Sequence, residues 1–541
     1  MSKELINSTE MREDVTKRTA CMKVFEHADH SFTAAIYGTP VHYMKDGRWE
    51  EIDNRLEAAE DEPPSDEDEI ESEEGEESIA MQSADSGDAE TGVKVHALDP
   101  AADGESAGED TGSGDVANIA GTFRVRLSNK VKKKNMVRLG EGDTKLTWGF
   151  VDARSVKRQI LKSADNAVKD HAGNADPTAA YAVTNLESRV LYPEAFEGVD
   201  IRYTIGPDRL KEDLVLKHAE AVKSFTWRYA PGELRARQDG ADVVFEDAEG
   251  MEAYRLSAPY MENAAGSISR GLTLTLTDDG GKKNKEAYVR LEADGEWLGA
   301  EDRAYPVTID PVVSTPVDRD KIRDCHVSSY YHGDNFYNSH LLKTGRVDGS
   351  TLRSYMKFEL PYINRADQMI TSAWLWLTKY AGSGSAARYI DVHKVTGSWD
   401  HKTLTWDNRP GYDGQVIDYA VYQTDEADQQ GFDITNLVKD WYMNGKNYGL
   451  MVKDHTETGH YTEYASADIH EDFASLRPHI LIQYVNYSGL ESFWTYHSQS
   501  AGRAGTIHIN DYTGNLILEH ETFSLGGSRL PVGLSHVYNS S

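Results

Sequence analysis

Apolar and polar residues alternate with a period of two along most of this chain. The runs TFRVRLS, KLTWGFVDA, GVDIRYTIG, KEDLVLK, SFTWRYA, ADVVFED, LTLTLTD, EAYVRLEA and YPVTIDP follow one another between residues 116 and 312. Turn residues separate them at intervals of about 10–15 positions, the spacing of a β-sandwich. A second series, with SYMKFELPYI, MITSAWLWLTKYA, RYIDVHKVTGSW, YGLMVKD, TEYASAD and HILIQYV, fills 313–486 and predicts another sandwich. One stretch keeps a different period. In FDITNLVKDWYMN, Ile434, Leu437, Val438 and Trp441 fall on one helical face, Asp433 lies near the N-cap and Asn444–Gly445 stops the helix. Near the start, Phe32, Ala34 and Ile36 alternate, and Asp46–Gly47 predicts a tight hairpin turn with Trp49 and Ile52 on the return. This segment, 1–57, reads as an entry module. Residues 487–541 alternate again around the turns DYTGN and SLGGS, and the third of their strands is left with an unpaired edge. It pairs with something outside the chain, or the chain is the front of a longer β-protein. The fold class expected is all-β: two tandem β-sandwich, jelly-roll-like domains and the first strands of a further sheet.

Charge interrupts this pattern once. Between Glu57 and Asp115 there are 22 acidic residues and one lysine, so most of the net charge of −33 on 541 residues is local. Like charges and few apolar groups do not offset the entropy of ordering, and 58–115 is expected to be a disordered acidic linker. An acidic chain argues against nucleic-acid partners, which need a basic footprint. The two cysteines, Cys21 and Cys325, offer neither a disulfide framework nor a zinc pattern. No apolar run reaches the roughly 20 residues of a membrane span. The sequence from Met1 to Ala20 has no apolar segment of a standard secretory signal.

Four segments carry a resemblance. GLESFWTYHSQSAGRAGTIHINDYTGNL with LPVGLSHVYN resembles the entry into the shell of Rhs/YD-repeat proteins of Gram-positive bacteria, large β-cages that are secreted or wall-associated. PVHY…DGRWEEIDNRL resembles their opening, and YPEAFEGVDIRYTIGPDRLKEDLVL their middle part. Residues 313–486 resemble DNRLRE-type modules, which are classed with carbohydrate-binding β-sandwiches. The pieces are Ser354–Leu360, SAWLWL at 372–377, the helix, the closing strand and above all VTGSWDHKTLTWDNRP, with Trp399, Thr405, Trp406 and Pro410 at the motif positions. The resemblance implies a secreted or cell-wall-associated protein that binds polysaccharide or cell-wall glycan. It also implies a downstream Rhs/YD cage carrying a toxin, in the same or a neighbouring chain.

No HExxH, GxSxG, P-loop or GxGxxG motif occurs, so the chain is expected not to be an enzyme. Asp200, Lys211 and Glu212 attract attention as charges, but read more simply as residues at strand ends and turns. Trp399 and Trp406 read as core packing ahead of sugar stacking. The better candidates for a glycan lie on Ser328–Arg346: Tyr330, Tyr331, Tyr337, Lys343 and Arg346, with His332 and His340. Rings beside cations suit the faces and carboxylates of an acidic polysaccharide. The run His332-Gly333-Asp334-Asn335 offers oxygen ligands for a structural calcium. A purely structural cap or plug of the cage, without glycan binding, is the alternative, and a polysaccharide lyase or hydrolase the third reading.

Overall fold

The computed structural model describes residues 11–59, 114–161 and 181–540, apart from 182, 208, 265–267, 279–285, 315–321, 338, 366, 385–386, 423–427, 470–475, 487, 491–493 and 526–531. Most of the acidic segment 58–115 therefore lies outside the described residues. The protein is almost entirely antiparallel β, and it divides into two compact units.

One unit comprises Asp53–Ser163 and Glu187–Val317. Its core draws Trp148, Phe150, Trp227 and Tyr229 from an eight-stranded sheet and Tyr192, Tyr203, Leu214 and Phe245 from an eleven-stranded one. These are the inward positions of the alternating runs, as period-two patterning requires. The acidic segment is inserted into this unit. Strands Asp53–Ala58 and Val116–Ala120 pair directly, Ala58 opposite Val116, and the Ala59 amide donates to the Asp115 carbonyl at 2.9 Å. Both ends of the segment are thus fastened in one hairpin.

The charges at 211 and 212 correct the reading from sequence, whereas Asp200 does sit at a strand end, second in Val199–Ile205. Lys211 and Glu212 sit inside strand Arg209–Leu216 and are buried. Lys211 lies between Asp213 (3.2 Å) and Asp310 (3.4 Å). Glu212 accepts hydrogen bonds from Trp227 Nε1 (2.6 Å), Trp148 Nε1 (3.2 Å) and Tyr203 Oη (2.5 Å). A buried carboxylate with three donors is satisfied in place and needs no turn or solvent. Asp200 accepts from the Glu194 amide and pairs with Lys217 at 2.8 Å.

The other unit comprises Met1–Ile52, Ala164–Leu186 and Asp318–Ser541. The segment read as an entry hairpin is built into its main sheet. Strands Met11–Glu13, Met22–His27 and Ser31–Tyr37 extend that sheet in order, and Ser31–Tyr37 pairs along its whole length with the closing strand His479–Asn486. Ala34 and Ile36 join Ile480 and Ile482 in the core. Asp46 and Gly47 both take positive φ, 49° and 77°, which the tight turn between His42–Lys45 and Arg48–Glu51 requires. The helix spans Thr435–Asn444; Asp433 Oδ1 accepts from the Thr435 amide at 2.9 Å, and Gly445 closes it in the left-handed conformation. Strands Tyr496–Ser500, Thr506–Asn510, Leu516–Leu525 and Val532–Asn539 form a separate four-stranded antiparallel sheet. No described helix is long and apolar enough to cross a membrane.

Candidate functional site

The second unit positions its site on one face of a five-strand array. Ile322–Ser328, Ser350–Phe358, Leu450–Asp454, Arg388–Val395 and Tyr412–Tyr422 pair in that order. Met356, Phe358, Leu450, Val452, Ile390, Val392 and Tyr422 face the main core. Side chains one position away point to the opposite face. Gly449 lets Leu450–Asp454 start close against its neighbour: its φ is +80°, and a Cβ there would collide with the Met356 carbonyl.

Two loops roof part of this opposite face. Residues 329–340 and 396–411 bring Phe336, Tyr337, Trp399, Leu404 and Trp406 over Cys325, Val327, Tyr355, Met451 and Val395, a second small core. Asn335 fastens the loops together, its Nδ2 donating to the carbonyls of His401 and Leu404, both at 2.7 Å, while its Oδ1 accepts from the Tyr337 amide. His332 Nδ1 pairs with Asp407 at 2.6 Å. Trp399 Nε1 donates to the Tyr448 carbonyl at 2.8 Å, and its ring meets Tyr355 edge-on. Thr405 Oγ1 and Asn408 Oδ1 exchange hydrogen bonds with each other's amides, closing the turn that leads to Pro410.

The rest of the face carries a run of rings and charges that is exposed at Tyr389 and Tyr419, while Asp391, His393 and Lys453 within it are buried. Tyr389 and Tyr419, 50% and 53% exposed, meet edge-on at 5.0 Å. Tyr389 contacts His455 at 6.3 Å, and His455 Nδ1 pairs with Asp391 at 2.6 Å. His393 follows, edge-on to Tyr412. Arg353 lies 5.5 Å from the Tyr412 ring and 5.3 Å from Trp406, which Arg409 covers from 3.9 Å. Arg353 is held by Glu457 through both oxygens (2.7 and 3.0 Å), which keeps its guanidinium firmly charged. Aromatic faces with flanking cations and carboxylates match a carbohydrate: rings take the C–H faces of a sugar, and the charged groups take its hydroxyls and acids.

The residues singled out from sequence are spread over this region. Tyr330 and Tyr331 are 68% and 55% exposed and meet edge-on at 4.9 Å; Tyr331 also touches Phe336, which stacks on His326. Burial, with the charge of Lys343 nearby, pushes His326 down to about 3, so that ring is neutral. Tyr337 turns inward against His401. Lys343 pairs with Glu463 at 3.0 Å, and Arg346 is exposed one turn from the hairpin at Asp348–Gly349. Sequence reasoning missed Tyr389, Tyr419, His455, Arg353, Arg409 and Tyr412. The exposed rings do alternate with core residues, Tyr389 beside Ile390 and Tyr419 beside Ala420, but nothing local separates a roofed position from an open one.

Residues 315–479 match the profile of carbohydrate-binding module family 96. The chain is also similar to three Bacillus proteins. It is 26% identical over 373 residues to the tRNA3(Ser)-specific nuclease WapA of Bacillus spizizenii, covering 66% of this chain and 15% of that protein. It is 26% identical over 359 residues to the tRNA(Glu)-specific nuclease WapA of Bacillus subtilis subsp. natto and to the tRNA nuclease WapA of Bacillus subtilis, in each case covering 63% of this chain and 14% of the relative. The chain thus spans about one seventh of the length of these relatives. Two expectations are corrected by them: that the protein is not an enzyme, and that it has no nucleic-acid partner. Both rested on the lack of a short motif and on a net charge that one acidic insertion dominates. Neither reports on a protein whose relatives are named as nucleases of tRNA. Within this chain, the aromatic face lies inside the stretch that matches the carbohydrate-binding family.

Proposed function

We propose that this chain is the glycan-holding part of a wall-associated protein whose whole length takes part in cleaving RNA, as the relatives' names indicate. The observation that carries the glycan half is the pair of exposed rings Tyr389 and Tyr419 on the same face of the module as Tyr412, Trp406 and Arg409. Cell-wall polysaccharide would lie along it, stacking on the tyrosines and Trp406 and pairing its acidic groups with Arg353 and Arg409. Tyr330, Tyr331 and Arg346 would extend the contact beyond the His332–Asp407 bridge, with Lys343 adding charge and Tyr337 supporting the loop from within. In this reading the four strands after Tyr496 open the repeat-built shell that their sequence resembles, and the glycan-bound module presents that shell, with the toxin activity beyond it, at the cell surface.

Retention of the full chain on purified cell-wall polysaccharide and on uronic-acid polymers tests this. The wild-type chain is expected to be retained. Tyr389→Ala with Tyr419→Ala is expected to weaken binding about tenfold or more, since each ring contributes about 1 kcal/mol. The melting temperature should be little changed, because both rings are half exposed. No retention on any wall fraction, or equal retention of the double variant, would remove the assignment.

A further inference from the structure

Glu13, His42 and Glu51 stand apart from the glycan face, on the first strand and on the later hairpin of His42–Lys45 and Arg48–Glu51. Their ligand atoms all lie within 4.8 Å of one another. Three segments meet there: Met11–Glu13, the start of His42–Lys45 and the end of Arg48–Glu51. The His42 side chain is 0% exposed. Its Nδ1 lies 2.7 Å from the Thr19 carbonyl, an acceptor, so Nδ1 carries the hydrogen and Nε2 is left as a bare lone pair. Nε2 has no hydrogen-bond partner. Its charged neighbour is Glu13 Oε1 at 3.8 Å, a second acceptor.

Cations stand around the cluster without answering that lone pair. Arg18 grips Glu13 through both oxygens (2.7 and 2.9 Å) and reaches Glu51 at 3.1 Å; Lys23 binds Glu51 at 2.7 Å. These contacts hold the two carboxylates in place; both donors to Glu51 fall on Oε1, so its Oε2 stays free to bind, and each Glu13 oxygen keeps one further lone pair. An imidazole oriented by a backbone carbonyl, with carboxylates fixed by outer hydrogen bonds, is the usual surrounding of a bound transition metal. The donor set, one nitrogen and two carboxylates, suits Zn2+. Tetrahedral zinc sets its donors roughly 3.3 Å apart, so the 3.8 Å gap between His42 and Glu13 needs only a small contraction.

We propose that Glu13, His42 and Glu51 form a zinc-class metal site that clasps the first strand of the sheet to the hairpin beside it. Water completes the coordination, and Arg18 and Lys23 act as outer supports. Because those two cations already balance the carboxylates, the bound ion keeps its full charge and affinity is modest.

The test uses the full chain, stripped with EDTA, and titrated with ZnCl2 by calorimetry and with CoCl2 by visible absorption. One equivalent is expected to bind above the weak background of the acidic surface, with the intense absorption bands of four-coordinate Co2+. His42→Gln and Glu51→Gln should each lower the affinity for Zn2+ at least tenfold. Glu51 is more than half exposed, so its variant decides the matter if the His42 variant does not fold. It removes one of 90 acidic side chains and leaves the background intact. Identical isotherms for wild type and Glu51→Gln, or no four-coordinate Co2+ spectrum, would overturn the site and leave a water molecule as the occupant.

Discussion

Replacing Glu212 with leucine is expected to abolish most of the stability of the unit that contains it. The side chain accepts from two indoles and one phenol that come from three other strands. Leucine has similar bulk but no acceptor, so three buried donors lose their partner at once. Each such group costs about 1–3 kcal/mol, and the sum, about 4 kcal/mol or more, is comparable with the whole stability of a typical domain. Denaturant unfolding followed by tryptophan fluorescence reads this, because Trp148 and Trp227 are among the chain's ten tryptophans. Glutamine keeps one acceptor and is expected to cost less. It also separates the charge from the hydrogen bonds. Burial pushes the Glu212 carboxyl up to about 7, against the pull of its three hydrogen bonds. The folded chain therefore keeps a proton that the unfolded chain releases near 4.5. Stability contributed at this position is full below about 4.5 and falls by about 3 kcal/mol as pH rises to about 7, then stays level. The glutamine variant should lack that slope. A wild-type profile parallel to that of Glu212→Gln across this window would show that the carboxyl titrates normally.

The two tryptophans of the 396–411 loop are expected to respond oppositely. Trp399→Ala removes a ring wedged against Tyr355 and leaves the Tyr448 carbonyl without its donor. The expected cost is about 3 kcal/mol, the low end for a large aromatic because the ring is only half buried. Trp406→Ala removes a ring that two guanidinium groups approach, Arg409 at 3.9 Å and Arg353 at 5.3 Å. Its cost in stability should be about 1 kcal/mol, while binding to wall polysaccharide should weaken about tenfold. Denaturation midpoints and glycan retention, measured on both variants, separate the roles. Unaltered binding by the Trp406 variant, with a large loss of stability, would mean that both rings only pack the loop.

Much of the fold was legible because alternation is a local property. The runs from TFRVRLS to YPVTIDP became strands, and the face shared by Leu437, Val438 and Trp441 became the inner side of the helix. What escaped is long-range. Glu212 reads as a surface charge until Trp148 and Trp227, 64 and 15 residues away, are seen to donate to it. Arg353 meets Glu457 across 104 residues, and no periodicity foretells that pairing. The candidate rings on Ser328–Arg346 are picked out by composition. Tyr330 and Tyr331 do reach solvent, whereas Tyr337 alternates inward, and the denser band on Tyr389–Tyr419 becomes visible only when the roofing loops are in place. The error over nucleic acid has a different source. Net charge is an average, and here one inserted segment sets it.

The pairing of Ser31–Tyr37 with His479–Asn486 also fixes an order of events during synthesis. The earlier strand leaves the ribosome more than four hundred residues before its neighbour. At about 5–20 residues per second, it waits about 20 to 90 s with one edge open. Residues 11–37 can pair only among themselves in that interval, as a hairpin flanked by the three-residue strand Met11–Glu13, and so small a sheet without its packing partners is marginal in water. The intervening unit has time to fold first. The module can close only when residue 486 has emerged, so a ribosome that stalls before that point leaves Ala34 and Ile36 exposed to whatever edge comes near.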